Sequence, residues 1–376
     1  MTSKPFTYTT RAQAYTAKFP VLTYVGTQTN FWIVANILVA LILHFNSLII
    51  GDATGIPLAG PLGPLMLVSV VFGIIYGVTL GLTSYYLDKK FFRSQALGRL
   101  IVLKALISLG TLILILVIMR FVLFNVLIAP TLKITMSDRS WGYLFYLLLI
   151  YYSFMTFLIS FINQVNKKYG PGVLIPLLLG RYRNPKEEER IFMFMDLKSS
   201  TTTAEALGHL RYSSFIRDCF MDINQVLLPF RAQVYQYVGD EIVVTWMEEE
   251  GIKNNFCVDF YFACQMQFRD RAEYYKTTFG FLPDFKAGLH SGKVTAVEIG
   301  EVKRDIAYHG DTLNTAARIQ SVCNEYKKSF LVSEYLFAKL EANENMKAEP
   351  LGTLLLKGKT EKVGVVSLEW NHVHAS

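Results

Sequence analysis

Charge is nearly absent from long stretches of the first half of this 376-residue chain. With 52% hydrophobic residues and a mean hydropathy of +0.31, it is too apolar for one ordinary soluble domain. Cysteine is also sparse. The four present, Cys219, Cys257, Cys264 and Cys323, form no CxxC pair and no metal-ligand spacing, so they read as reduced core residues rather than a zinc site. No stripe of basic residues alternates with aromatics, which sets aside nucleic acid as the partner of a chain with net charge +7. The Lys and Arg residues gather beside apolar segments instead and read as a topology signal. The first apolar run starts too far along the chain, and without a cleavage-site signature, to be a removable signal peptide.

What is there falls into two compositional halves that meet near residues 180 to 190. Before that boundary, four stretches reach the ~20 apolar residues needed to cross a hydrocarbon core of roughly 30 Å. They are Phe31–Ile50, Leu65–Tyr86, Leu100–Ala129 and Trp141–Ile162. Lys4, Arg11 and Lys18 precede the first, Lys89, Lys90, Arg93 and Arg99 separate the second and third, and Lys167, Lys168, Arg181 and Arg183 follow the fourth. Translocation disfavours such residues in short loops, so these three sides are expected to be cytoplasmic. The loops around Asp52 and from Lys133 to Arg139 are then outside. Lys104 and Arg120 lie near segment ends, where long side chains snorkel. Asn36, His44 and Asn46 suit interhelical hydrogen bonds, since one His without partners is no metal site. Tyr169-Gly170-Pro171-Gly172 breaks the fourth helix and opens a linker.

The second half reads as mixed α/β. Arg190–Met195 has the pattern of a buried strand delivering Asp196 at its C-terminal end, before a helix from about Thr203 to Leu228. Gln233–Val238 and Ile242–Trp246 are apolar runs around Gly239-Asp240-Glu241, a hairpin with an acid at its tip. Side by side, these elements bring Asp196 and Asp240 together. Two close carboxylates repel unless a cation neutralises them, and Mg²⁺ suits such oxygen ligands. Taken alone, Asp196 reads more readily as a helix cap and Asp240 as a turn residue. Asp284–Gly292 and Lys293–Ile299 read as two strands around a glycine-bearing turn. Gly310-Asp311-Thr312-Leu313-Asn314 then opens a helix with Arg318 on the same face as Asn314. Leu356-Lys357-Gly358-Lys359 precedes a last strand, Val363–Trp370.

In this order, over roughly residues 188 to 370, these pieces resemble the class III adenylate and guanylate cyclase domain. The resemblance rests on Phe194-Met195-Asp196-Leu197, on Val238-Gly239-Asp240 and on Gly310–Arg318, with Lys357 in the LKGK turn. It implies a ferredoxin-like α/β fold that acts as a head-to-tail homodimer. Asp196, with its neighbour Leu197, and Asp240 would form the metal set for two Mg²⁺ or Mn²⁺ ions about 3.5 to 4 Å apart. The partner subunit would bring Asn314 to orient the ribose, and Arg318 and Lys357 to stabilise phosphoryl charge. The reaction implied is attack of the ribose 3′ hydroxyl on the α-phosphate, giving a 3′,5′-cyclic nucleotide and pyrophosphate. No histidine is needed as base, so His290 and His309 read as structural.

The expected organisation is a cytoplasmic segment at 1–30, an all-α four-helix transmembrane bundle at 31–163, a linker at 164–189 and the cyclase domain at 190–372. That makes a multi-pass inner-membrane protein with its N-terminus and catalytic domain in the cytoplasm, in contact with membrane lipid. The family's two base-reading positions depart from its adenylate and guanylate patterns, being Gln236 and Ala307, with Asp305 near the second. A Gln amide both donates and accepts, whereas Ala307 reads nothing. ATP is expected as the family's commoner substrate, with GTP or a pyrimidine triphosphate as alternatives. A non-catalytic membrane receptor with a degenerate cyclase domain is the competing class, disfavoured because the acids, Asn314 and Arg318 are all present. A transporter is disfavoured by the lack of a charged pathway through the spans.

Overall fold

The computed structural model describes residues 19–91, 97–118, 120–121, 137–169, 180–301, 304–355 and 362–370. They divide into two compact units, 19–169 and 180–370.

The first unit is helical: α1 Pro20–Thr54, α2 Leu62–Phe91, α3 Leu97–Ile118 and α4 Asp138–Tyr169. Within these, Val21–Thr54, Leu62–Leu87 and Asp138–Asn163 are long and apolar enough to cross a bilayer. Ala105–Ile118 is apolar but shorter, and the remainder of the expected third span, 119 and 122–129, lies outside the described residues. The first helix begins eleven residues before the expected Phe31, with Pro20 opening it. Large apolar side chains such as Leu67, Ile150 and Phe157 face outward, 67%, 71% and 71% exposed. A surface of that kind is stable only against another apolar phase.

Polar groups inside the unit are spent on one another. Tyr152 donates to Asn36 Oδ1 at 2.6 Å and Tyr151 to the Ala35 carbonyl at 2.6 Å, linking α4 to α1. Tyr76 on α2 reaches the Ser108 carbonyl at 3.0 Å, and the hydroxyls of Ser108 and Thr156 lie 3.0 Å apart, tying α3 to α4. Trp32 stands in the middle, with ring centroids 4.4 Å from Tyr76 and 5.7 Å from Tyr152. Asn36 thus makes the expected interhelical bond, whereas Asn46 is exposed. Arg120 is paired with Asp138 at 2.5 Å, at the start of α4. Gly73 and Gly77 let α1 and α2 touch: a Cβ there would come 2.6 Å and 2.5 Å from the Cα atoms of Ile33 and Thr29.

The second unit is a mixed eight-stranded sheet with helices on it. Its elements are β1 Lys186–Leu197, α5 Ser200–Leu227, β2 Gln233–Val238, β3 Glu241–Met247, α6 Glu248–Ile252, α7 Phe256–Asp270 and α8 Ala272–Phe279. After these come β4 Phe285–Ile299, β5 Asp305–His309, α9 Asp311–Ser321, β6 Phe330–Ser333, α10 Glu334–Phe337, β7 Met346–Leu354 and β8 Val363–Trp370. The order is β2-β3-β1-β4-β6-β8-β7, with β5 on β4. The run β1-α5-β2-β3-α7-β4 is the ferredoxin-like arrangement, with β1 between two antiparallel neighbours.

Alternation along β1 separates two cores. Ile191, Met193, Met195 and Leu197 are buried with Phe215, Ile223, Phe260 and Cys264 of α5 and α7. Phe192 joins Val243, Val294 and Ala316 beneath α9 on the other face. The four cysteines are free and buried, as composition implied.

One expectation fails. Residues 285–299 form a single strand, not two strands around a turn. Gly288 and Gly292 are there because α9 lies on them. A Cβ on Gly288 would meet the Gln320 backbone nitrogen at 2.3 Å and the Ala316 carbonyl at 2.6 Å, and one on Gly292 would meet Thr312 Oγ1 at 2.6 Å. Gly288→Ala is therefore expected to push α9 off the sheet and cost about 1–3 kcal/mol, as overpacking does. Thermal unfolding of the variant checks this, and an unchanged midpoint would contradict the contact.

Candidate active site

β1 ends where the chemistry begins. Asp196 pairs with Glu241 of β3 on one side and Lys286 of β4 on the other. Residues in register share a sheet face, so these three side chains stand in a row on the α9 side. Asp240 lies in the two-residue turn between β2 and β3, with Gly239 before it at φ 63°, a conformation that suits glycine. The structure thus gathers Asp196, Asp240 and Glu241 at one end of the strands.

The charges there are incompletely balanced. Lys286 Nζ is 3.2 Å from Asp196 Oδ2, and Gln320 Nε2 of α9 donates to the same oxygen at 3.1 Å. Asp240 Oδ2 is buried and, among the described residues, has no hydrogen-bond partner. Burial, then the charges of Asp196 and Asp240, push Glu241 up to about 7, against the pull of Lys286. Burial and the adjacent Asp240 likewise push the Tyr212 phenol up to about 12. An orphaned carboxylate oxygen among mutually repelling acids fits a divalent cation. Among the described residues no three His, Cys, Asp or Glu side chains form a complete metal cage. Two carboxylates are nonetheless what Mg²⁺ takes when substrate phosphates and water complete its shell.

Leu197, grouped with the metal set by sequence, has its side chain buried at 3% exposure in the α5/α7 core. Asn314 and Arg318 lie on α9, whose buried face is Thr312, Thr315, Ala316, Ile319 and Gln320. At 100° per residue, Asn314 and Arg318 fall on the opposite face, turned from the sheet. Within one chain they are not brought to the carboxylates, and among the described residues neither side chain has a hydrogen bond or ion pair. Lys357 lies outside the described residues.

Gln236 owes its placement to a bulge between Val234 and Gln236, after which it pairs with Val243 and shares the α9 face with Asp196. Ala307 is buried and pairs with Val297. Asp305 is exposed, with Oδ1 accepting the Ile306 amide at 3.0 Å, an acid engaged by its own strand. His290 Nδ1 is 2.7 Å from Ser333 Oγ. Sequence reading missed Lys286, Gln320 and Glu241 as neighbours of the acids. Glu241 follows Asp240 directly and was the most accessible of the three, whereas the other two depend on register and helix docking.

A second buried group supports the strands around Gln236. The Arg190 guanidinium is 4.6 Å from the Tyr308 ring, whose centroid is 5.1 Å from that of Tyr235. Arg190 Nε donates to Glu188 Oε2 at 2.8 Å, and both side chains are under 5% exposed. Burial of the ring pushes the Tyr308 phenol up, and Arg190 pulls it back. Arg190→Met would leave Glu188 with only the longer 3.3 Å contact to Arg181. A loss of about 3 kcal/mol is expected in denaturant unfolding, as for other broken buried pairs. Replacing Glu188 by Gln in the same chain should recover part of it, and no recovery would mean that the cost is packing alone.

The mixed sheet thus carries a strand-end acid and a hairpin acid at the same end of its strands. Residues 183–368 match the model of the adenylate and guanylate cyclase catalytic domain, and through this C-terminal half the chain belongs to that family. It is similar to adenylate cyclase 2 of Rhizobium meliloti, with 35% identity over 210 residues, 56% of this chain and 58% of that protein. It is also similar to adenylate cyclase 1 of the same organism, with 25% identity over 48% of this chain and 28% of that protein. The chain thus spans less than two thirds of either relative. Among solved structures, adenylyl cyclase CyaB from P. aeruginosa aligns at 15% identity over 50% of this chain and 96% of that one, with TM-score 0.43.

Proposed function

We propose that this chain is a membrane-anchored nucleotidyl cyclase that converts a nucleoside triphosphate to its 3′,5′-cyclic product and pyrophosphate as a homodimer. One observation carries the reading: two carboxylates delivered to one end of the strands, with a buried Asp240 oxygen left unpartnered among the described residues. Asp196 and Asp240 would hold two Mg²⁺ or Mn²⁺ ions. When bound, such ions neutralise the triphosphate and acidify the ribose hydroxyl.

The chain's own groups do the rest. The 3′ oxygen forms its bond to the α-phosphorus as the bond to the bridging oxygen breaks, pyrophosphate leaves with that electron pair, and the hydroxyl proton goes to water. Charge on the phosphoryl oxygens is met by Arg318 and Lys357, while Asn314 orients the ribose. The outward aspect of Asn314 and Arg318 supports their serving the twin's carboxylates rather than their own. The relatives' name, adenylate cyclase, favours ATP. Gln236 would then be the one polar base-reading side chain, because Ala307 is apolar and the Asp305 carboxylate is engaged by its own strand.

The organisation proposed is four spans, the third at 100–129, with the N-terminal segment and catalytic unit in the cytoplasm and a linker between the spans and the catalytic unit. The basic flanks of the spans support that orientation.

Purified chain with Mn²⁺ and ATP is expected to give cyclic AMP, measured beside GTP, CTP and UTP. No cyclic product from any of the four would favour the non-catalytic receptor. Asp240→Ala and Arg318→Ala chains are each expected to be inactive, and their mixture to regain up to about a quarter of wild-type activity by statistical pairing, because one site of the mixed dimer keeps both contributions. Inactive chains that exchange subunits and remain silent would refute the shared site.

A further inference from the structure

Asp196 Oδ2 is held from two directions that differ in kind. Lys286 brings a charge and competes with any cation for that oxygen. Gln320 brings a neutral amide that orients the carboxylate and leaves its charge in place. Gln320 is 6% exposed and stands on α9, whose outer face carries Asn314 and Arg318. Arg318 and Gln320 are separated by about 3 Å along the axis and point in widely different directions. The helix lies directly on β4 at Gly288, within a distance that no side chain fits. A load applied to Arg318 therefore reaches Gln320 as movement of a short, stiff body.

We propose that Gln320 is a positioning residue through which α9 couples the two active sites of the dimer, an inference that rests on the shared-site reading above. The outer face of the helix serves the twin's site, and its inner face sets the metal carboxylate of its own. Triphosphate held by Arg318 in one site alters the hydrogen bond that orients Asp196 in the other. Nucleotide occupancy of one site and cation affinity of the other are then linked, and the linkage is reciprocal.

The test is Mn²⁺ binding to the full chain in detergent, read by the paramagnetic resonance of free Mn²⁺, with and without 3′-deoxy-ATP, which lacks the attacking hydroxyl. Wild type is expected to show a Hill coefficient that changes when the nucleotide is present. Gln320→Met should weaken Mn²⁺ binding roughly tenfold, as loss of an outer-shell partner does, and remove the nucleotide's effect on the coefficient. Arg318→Ala should keep Mn²⁺ affinity without nucleotide and lose the nucleotide's effect on the coefficient. Gln320→Asn, which keeps a buried amide but withdraws it by one methylene, should reproduce Gln320→Met and decides the matter if the latter does not fold. Wild-type Mn²⁺ affinity and coefficient in the Gln320 variants, with binding lost in Asp196→Ala, would overturn the coupling and leave the proposed site intact. Mn²⁺ binding retained in Asp196→Ala would overturn the site itself.

Discussion

The catalytic unit depends on the alternation of β1. From Ile191 on, its odd residues are committed to the core under α5 and α7, and its even residues to the face under α9. Slipping the strand by one residue would turn Met195 out and Asp196 in, exposing one core and burying a charge in it. Because β3 and β4 both pair with β1 over most of its length, that register is fixed from two sides. The position of Asp196, and with it the row Glu241, Asp196, Lys286, follows from packing that has no chemistry of its own.

Collecting acids at one end of the strands works against stability, and the neighbourhood offsets it only in part. Lys286 supplies one positive charge and Gln320 one neutral donor, both to Asp196. Asp240 receives no such compensation at Oδ2, and Glu241 is driven toward its protonated form. Asp259 Oδ1 on α7 is bare as well, but there burial alone acts on the carboxyl, whereas Asp240 stands among other acids. The imbalance has the right sign for a cation, and in the proposed reading it is the cation that completes the electrostatics of the site.

The two acids were legible in the sequence because each sits at a local boundary, one where a buried strand stops and one in a glycine turn. The hairpin and the last strand were legible for the same reason. Gly288 and Gly292 misled, since a glycine that admits a helix looks the same in sequence as one that makes a turn. Lys286 and Gln320 stayed hidden, being 90 and 124 residues from Asp196 along the chain and meeting it only through β1–β4 register and the docking of α9. In the helical unit, the apolar runs declared themselves. The small-residue contact of α1 with α2 and the Trp32, Tyr76, Tyr152 cluster did not, because they depend on which faces meet.

The two units make complementary demands in the proposed reading. Outward-facing Asn314 and Arg318 are of no use to a lone chain, and the edge strand β2 exposes Tyr237 and Val238, 49% and 54% accessible, beside the acids. These are modest apolar contacts, and an interface built from them alone would be weak in dilute solution. Chains held in one membrane meet at a raised effective concentration, which lets a weak interface be populated without added contacts. A weak interface also leaves α9 free to respond to what is bound on its outer face. On this argument, anchoring is part of how the site is assembled, whether or not the helical unit binds a signal.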